Sequence, residues 1–521
     1  MQPFFENFNS YCMFKKSTAV MLLFSLTAAT AHAGGLLTNT NQNISFNRNF
    51  AREGTIGIDG VYSNPAGVSF LTKGFHLSLN VQNVYQTRDI TSSITVPSLQ
   101  GTPFYQPFKL NGGDDNGEKC FRGKASVPVL PSFQAAMVYD KWTLQAGFAL
   151  AGGGGKAIFN NGLPSFERQI SLVPAILYGQ GLTSQTPSYS VRSNIKGQQY
   201  DFGLQLGVSY KVNDHLALYG GARFNYIYNK YVGNITDISA NINGENVKLH
   251  DYFDTQAQTY DRMAFYYRMR ASEMTDEAAK AKYQAAAQQA QAGADKMNQT
   301  KELFADKYLD CTQNGWGITP IIGIDYKAGR WNIGARYEFT TKFNIENDTK
   351  VDNTGLFADG VNTHNDLPGL LAVGTQYEIL KNLRAMVAWH YYFDKDARMD
   401  HGKQKALSGN TQEYLAGMEW DVAKGITLSA GGQRTKYGLG DGTYLSDMSF
   451  VTSSYSIGFG AKVKIAKNMS LNVAYFWTDY EKFHKEYDQT ITGAGQSVET
   501  HNTDVFTRSN KVFGVGLDID L

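Results

Sequence analysis

Between Leu383 and Phe393 the chain alternates strictly: Leu383, Ala385, Val387, Trp389, Tyr391 and Phe393 fall on one parity, and Arg384, Met386, Ala388, His390 and Tyr392 on the other. A period of two with one apolar face is the signature of a β-strand, whose successive side chains point to opposite sides. The split returns in Leu216, Leu218, Ala222, Phe224, Tyr226 and Tyr228 against Arg223 and Asn225. It returns in Ile333, Ala335, Tyr337 and Phe339 against Arg336 and Glu338, and in Met469, Leu471, Val473, Tyr475 and Trp477 against Asn472 and Thr478. Strands are predicted near 74–86, 126–139, 142–151, 200–211, 215–231, 316–327, 330–345, 368–379, 382–396, 410–421, 425–437, 451–464, 468–480 and 507–521. Their connections sort into two kinds. Tight ones sit at Asp140-Lys141, Val212-Asn213-Asp214, Ala328-Gly329, Leu380-Lys381, Val422-Ala423-Lys424 and Ile465-Ala466-Lys467, and long loops follow every odd-numbered strand. Short turns on one side, long loops on the other and an even strand count are the layout of a bacterial membrane barrel, with aromatics at the strand ends as interfacial girdles. A soluble sandwich also alternates but has no reason to sort its loops. The predicted fold is all-β, a 14-stranded antiparallel transmembrane β-barrel over residues 74–521.

Composition agrees with one large barrel rather than several domains. Of 521 residues 52 are Gly, 31 Tyr and 31 Phe, so Gly is about 10% against a usual share of about 7%. A mean hydropathy of −0.34 excludes a polytopic helical membrane protein and leaves a barrel open, because lumen residues and loops dilute the lipid-facing half. Lys+Arg 48 against Asp+Glu 47 gives a net charge of +1, which supplies no field to hold a nucleic-acid backbone. No HExxH, GxSxG or paired Cys–His pattern is present, so neither an enzyme, a cofactor nor a metal is expected. Asn111–Glu118 and Asp441-Gly442 carry carboxylates that could hold Ca²⁺, but they fit solvated loop turns better. Inward His390 has neighbouring charges, and Arg223, Arg336, Glu338, Glu378, Arg384, Glu413 and Glu419 are expected to pair across strands.

The N-terminus reads as an export signal. Lys15 and Lys16, an apolar run from Ala19 to Ala29, and Ala31-His32-Ala33 are the n-region, h-region and A-x-A site of a signal peptide. Residues 1–33 are therefore expected to be removed, with Met13 the expected start. Residues 34–73 precede the first strand, are polar and Gly-punctuated, and contain the turn Asn64-Pro65-Ala66-Gly67. Their length suits an N-terminal hatch folded back into the lumen.

A second segment, about 252–311, switches to helix. Asp276 and Glu277 follow Thr275 as at a helix N-terminus, and an Ala-rich run follows. Tyr260, Met263, Phe265, Tyr266, Tyr267 and Met269 make its first part apolar; they either face a greasy ligand or pack helix to helix. Cys120 and Cys311 are the two cysteines left after the signal peptide and Cys12 are removed. In an exported protein such a pair is expected to form a disulfide, tying the helical loop to the first loop.

An exported chain with NPAG in a 40-residue N-terminal segment, fourteen strands and a helical loop after the fifth resembles the FadL-type outer-membrane transporters of long-chain fatty acids and other hydrophobic compounds. LTNTNQNISF, LPGLLAVGTQY and LRAMVAWHYYF resemble the branch found in Bacteroidetes. The resemblance implies a monomer in the outer membrane of a Gram-negative bacterium, with residues 34–73 as a hatch. It also implies a third strand bent inward, opening the wall sideways to the lipid. Here that strand ends in Gly152-Gly153-Gly154-Gly155 before Lys156, a run that either bends the strand or begins a flexible loop. It is no phosphate loop, because Ala157 follows Lys156 and Leu150 stands where the motif needs Gly. Passive uptake of a hydrophobic molecule, with Phe159 and the loop aromatics as contacts and Lys156 and Arg168 meeting a carboxylate head, is the expected function. A general porin or a barrel-type surface adhesin is the alternative.

Overall fold

The computed structural model describes residues 38–183, 187–493 and 496–521. The expected signal peptide lies outside the described residues, as do residues 34–37. One sheet holds β1 (Gly74–Thr95), β2 (Glu118–Val138), β3 (Trp142–Phe159), β4 (Tyr189–Lys211), β5 (Leu216–Ile242), β6 (Glu245–Lys248), β7 (Lys307–Ala328), β8 (Trp331–Glu338), β9 (Asn344–Asp352), β10 (Asn362–His364), β11 (Leu370–Leu380), β12 (Leu383–Tyr392), β13 (Gln412–Ala423), β14 (Ile426–Lys436), β15 (Ser454–Ala466), β16 (Met469–Tyr480), β17 (Phe483–Gly493) and β18 (Gln496–Asp520). Fourteen of these make the wall. β9 carries on from β8 against β7, β17 carries on from β16 against β18, and β6 and β10 are stubs in outer hairpins. The antiparallel pairing of β1 with β18, from His76↔Asp520 to Thr95↔His501, closes the barrel.

The outer face explains the apolar parity. Leu144, Leu206, Leu218, Ile318, Ile322, Ile324, Ile333, Val387, Leu428 and Ile457 are all exposed. Tyr139, Trp142, Tyr326, Trp331 and Trp420 border that band at the short-turn end, and Tyr85, Tyr226, Trp316, Tyr414 and Tyr455 border it at the other. Trp316 and Tyr326 on β7 lie about 25 Å apart in height at the rise and tilt of a barrel strand, the height of an outer-membrane apolar band. An uninterrupted apolar belt of this size is stable only against lipid.

The strands run further outward than the sequence predicts. β1 reaches Thr95 rather than residue 86, β5 reaches Ile242 rather than 231, and β18 begins at Gln496 rather than 507. Beyond the outer girdle the apolar parity switches sides. Leu79, Val81 and Tyr85 point outward, whereas Ile90 and Ile94 point inward and are fully buried. A lipid-facing strand is apolar outside and a water-surrounded strand is apolar inside, so a search for one continuous stripe stops at the boundary.

The expected disulfide does not form: Cys120 and Cys311 are both free. Neither sits in a loop. Cys120 is on β2 opposite Thr91, and Cys311 is on β7 opposite Tyr231 of β5. β3, β4 and β5 stand between them, and at about 4.8 Å per strand their Cα atoms lie well beyond the roughly 7 Å a disulfide can bridge.

Candidate functional site

Residues 38–73 run inside the barrel through two short helices, α1 (Ile44–Arg48) and α2 (Gly60–Ser63). From Gln42 to Ser69 nearly every residue is buried. Charge pairs fix this segment to the wall. Arg48 and Arg52 both reach Glu419 Oε1, at 2.9 and 2.8 Å, and Arg52 also holds Asp59 at 2.8 Å. Glu53 meets His390 Nε2 at 2.7 Å and Arg336 at 3.3 Å, while His390 Nδ1 lies 2.8 Å from Glu413. The Tyr62 ring lies between the guanidinium groups of Arg336, 4.7 Å away, and Arg223, 5.4 Å away, and both arginines pair with Glu338. Inward glycines make room: a Cβ on Gly334 would strike the Glu53 carbonyl, one on Gly458 the Asn47 carbonyl, and one on Gly514 the Ile44 side chain.

Asn64, Pro65, Ala66 and Gly67 sit at the short-turn end of the lumen. Asn64 Nδ2 donates to Asp325 at 2.5 Å, its Oδ1 accepts the Gly67 N–H at 3.2 Å, and the Pro65 carbonyl accepts from Gln145 and Ser209, both at 2.7 Å. Ala66 packs with Ala217, Tyr219 and Ile321. The turn therefore ties the segment to four strands at once, β3, β4 and β7 by hydrogen bonds and β5 by packing.

β2 and β3 lose their ladder pairing along one stretch of the wall. Pairing runs from Val138↔Thr143 to Phe133↔Phe148 and resumes only at Ala125↔Ala157. Both edges have a chemical reason. β2 carries Pro128 and Pro131 in this stretch, and proline donates no ladder hydrogen bond. On β3 the register with β4 slips between Leu150 and Gly152 and again between Gly152 and Gly155. Gly153 and Gly155 have φ of +93° and +69°, a region where glycine alone is unstrained. The bulged backbone turns to the lumen segment instead: Thr38 bridges Gly152, and Asn39 N–H donates to the Ala151 carbonyl at 2.8 Å.

Beside the opening lies a cavity of about 130 Å³. Phe46, Phe50, Val84, Val127, Leu130, Leu150 and Phe476 form its apolar part, residues 38–41 with Glu413, Gln433, Thr435, Ser454 and Ser456 make much of the rest polar, and Gln86, Thr478, Tyr480 and Asn510 line the outer end. Above it, the outer third of the barrel is filled by a large apolar cluster that includes Ile90, Phe108, Phe121, Phe166, Ile170, Leu177, Phe450 and Phe506. Two helices, α3 (Pro164–Ser171) and α4 (Val173–Gly179), contribute to it. At this outer cap burial pushes the Asp447 carboxyl up, although its Oδ2 accepts the Ser165 N–H at 2.7 Å. Burial, then the nearby Lys485, hold Lys403 down at about 8.

The other residues singled out by sequence are dispersed. Phe159 is buried in the outer cluster. Arg168 is buried too, but it pairs with Asp504 and donates to Ser92 Oγ at 2.8 Å, so its charge is already met. Lys156 is on β3 at the upper end of the opening, next to Lys196. The helical segment is a hairpin of α5 (Leu249–Glu273) and α6 (Glu277–Leu303), with Asp276 capping α6 by accepting the Ala279 N–H at 2.8 Å. Leu249 and Phe253 join the outer cluster. Phe265 is about 18 Å further along the helix than Phe253 and is 64% exposed. Tyr260 packs on Gly293 and Tyr267 on Tyr283, helix to helix, and Met263 is half-buried on the same helix. Asp114 accepts the N–H groups of Asn116 and Glu118, as a turn carboxylate does.

Sequence reading passed over the two prolines of β2, which were legible, and the inward glycines of the other strands, whose neighbours only the fold reveals. It also passed over Gln86 and Asn510, which follow no known spacing.

Comparison with protein-family models finds no match, and neither does comparison with curated protein sequences. Among solved structures the chain is similar to a FadL homologue of Pseudomonas aeruginosa, at 13% identity and a TM-score of 0.57 over 94% of this chain and 100% of that one. It is also similar to a mutant of TodX, a monoaromatic hydrocarbon channel, at 13% identity and a TM-score of 0.50 over 93% of this chain and 100% of the other. The closed 14-strand wall, the buried N-terminal segment and this full-length likeness together give the conclusion that the chain has the fold of the FadL-type barrels.

Proposed function

We propose that the protein is an outer-membrane channel for the passive uptake of hydrophobic molecules, with long-chain fatty acids the leading class. It works as a monomer, its N-terminal segment acts as a hatch, and ligand leaves sideways into the membrane. The observation that carries this reading is the unpaired stretch between β2 and β3 beside a cavity to which Phe46, Phe50, Val84, Val127, Leu130, Leu150 and Phe476 give an apolar side. A polar solute gains nothing from an exit into lipid. An apolar chain gains about 0.8 kcal/mol for each methylene withdrawn from water, which drives passage without an energy source. The hatch, held by Glu419, Arg336 and His390, opposes an open porin. The likeness to a FadL homologue and to a monoaromatic hydrocarbon channel supports the same class of cargo. Radiolabelled palmitate uptake by Gram-negative cells lacking their own fatty-acid transporter tests it. Expression is expected to raise uptake several-fold over an empty vector, and correctly inserted protein that leaves uptake at the vector level would overturn the reading.

A further inference from the structure

Two inward arginines stand side by side with no counter-ion among the described residues. Arg88 on β1 and Arg508 on β18 are direct cross-strand partners, and Arg88 is only 8% exposed. Among the described residues neither meets a carboxylate. Arg88 and Arg508 each donate to the single acceptor Gln86 Oε1, at 3.3 and 3.0 Å. The Nε atoms of both are buried with no partner, as is Asn510 Oδ1. Like charges directly opposed destabilise a sheet, and a buried unpaired charge is costly. Elsewhere the lumen avoids that cost: Arg52, Arg168, Arg223 and Arg336 each hold a carboxylate.

The wall around the pair is graded. Val84, Val512 and Phe476 form one inward rung across β1, β18 and β16; Gln86, Asn510 and Thr478 form the next; Arg88 and Arg508 form the third, with the Arg508 guanidinium 4.9 Å from the Tyr480 ring. Ile90 and Phe506 above are apolar again. The two cations thus stand one rung beyond the polar outer end of the cavity, which Gln86, Thr478, Tyr480 and Asn510 line, and below the apolar Ile90 and Phe506. Guanidinium groups with free donors suit a carboxylate, which they can bind bidentately.

We infer that Arg88 and Arg508 form an anion-binding end to the cavity and take the carboxylate of an amphipathic ligand whose apolar chain lies along Val84 and Phe476 toward the opening. This rests on the uptake reading and sharpens it, since the pair selects carboxylates over neutral molecules of equal length.

Equilibrium binding of radiolabelled palmitate and of hexadecanol to the detergent-solubilised full chain tests it. The wild type is expected to bind palmitate about ten- to a hundredfold more tightly, the range of charged hydrogen bonds. Arg88→Gln with Arg508→Gln is expected to abolish that preference and leave hexadecanol binding unchanged, while the Arg88→Lys, Arg508→Lys variant keeps part of it. Because the Gln variant removes two repelling cations, its thermal midpoint is expected to hold or rise. A fall would make the pair structural and overturn the inference, as would an unchanged palmitate preference in the folded variant. Hexadecanol binding with no wild-type preference for palmitate would overturn the carboxylate site alone. Binding of neither would overturn the uptake reading with it.

Discussion

Gly153→Val with Gly155→Val is expected to close the wall and cut palmitate uptake at least about tenfold, with the barrel still inserted. The left-handed φ values at these positions, +93° and +69°, are strained for a β-branched residue. A Cβ at Gly153 would strike the Gln199 backbone, and one at Gly155 would meet Val127 across the opening. The bulge can then survive only at a cost of about 1–3 kcal/mol per residue, and a straightened β3 recovers ladder bonds with β2. Heat-modifiable migration on a gel checks that the barrel is intact. Uptake at the wild-type rate in such a barrel would show that the bulge is not the exit.

Glu419→Ala is expected to release the hatch. That carboxylate is buried and holds two hatch arginines at once, Arg48 at 2.9 Å and Arg52 at 2.8 Å. Deleting one partner of a buried pair typically costs about 3–5 kcal/mol, because the remaining charge is left without compensation. In this barrel the cost falls on the seating of residues 44–59, so the segment is expected to leave its site part of the time. In planar bilayers the wild type is expected to stay closed and the variant to show ion conductance, with Glu53→Ala added to it widening the openings by freeing His390 and Arg336. A variant as closed as the wild type would mean that the hydrogen bonds at Asn43, Asn64 and Pro65 are sufficient by themselves.

The architecture was legible because lipid imposes a simple rule on sequence. Within the membrane each strand must be apolar on one side, and the turns at Asp140-Lys141 or Leu380-Lys381 are too short to be anything but hairpins. Where water replaces lipid, as from Arg88 to Thr95, the rule inverts and the strand ends were misplaced; the disulfide expectation failed with them, since it depended on Cys120 and Cys311 lying in loops. The sites were less legible. Pro128 and Pro131 announce a broken ladder, and the glycine run announces a bulge, but their facing each other follows from register. Arg168, beside the glycine run in sequence, is met by Asp504 from the last strand, whereas Arg88 and Arg508 come together only because the first and last strands close the barrel. Pairings between chain ends leave no local pattern.

The claim that ligand leaves between β2 and β3 is tested most directly by photolabelling. Palmitate carrying a diazirine near the end of its chain, irradiated while cells take it up, should label residues 126–132 and 149–155, as mapped by mass spectrometry. Label concentrated instead on the hatch around Asn64 to Gly67 and on the short turns, with both edges of the opening unlabelled, would show passage straight through the barrel and contradict the account.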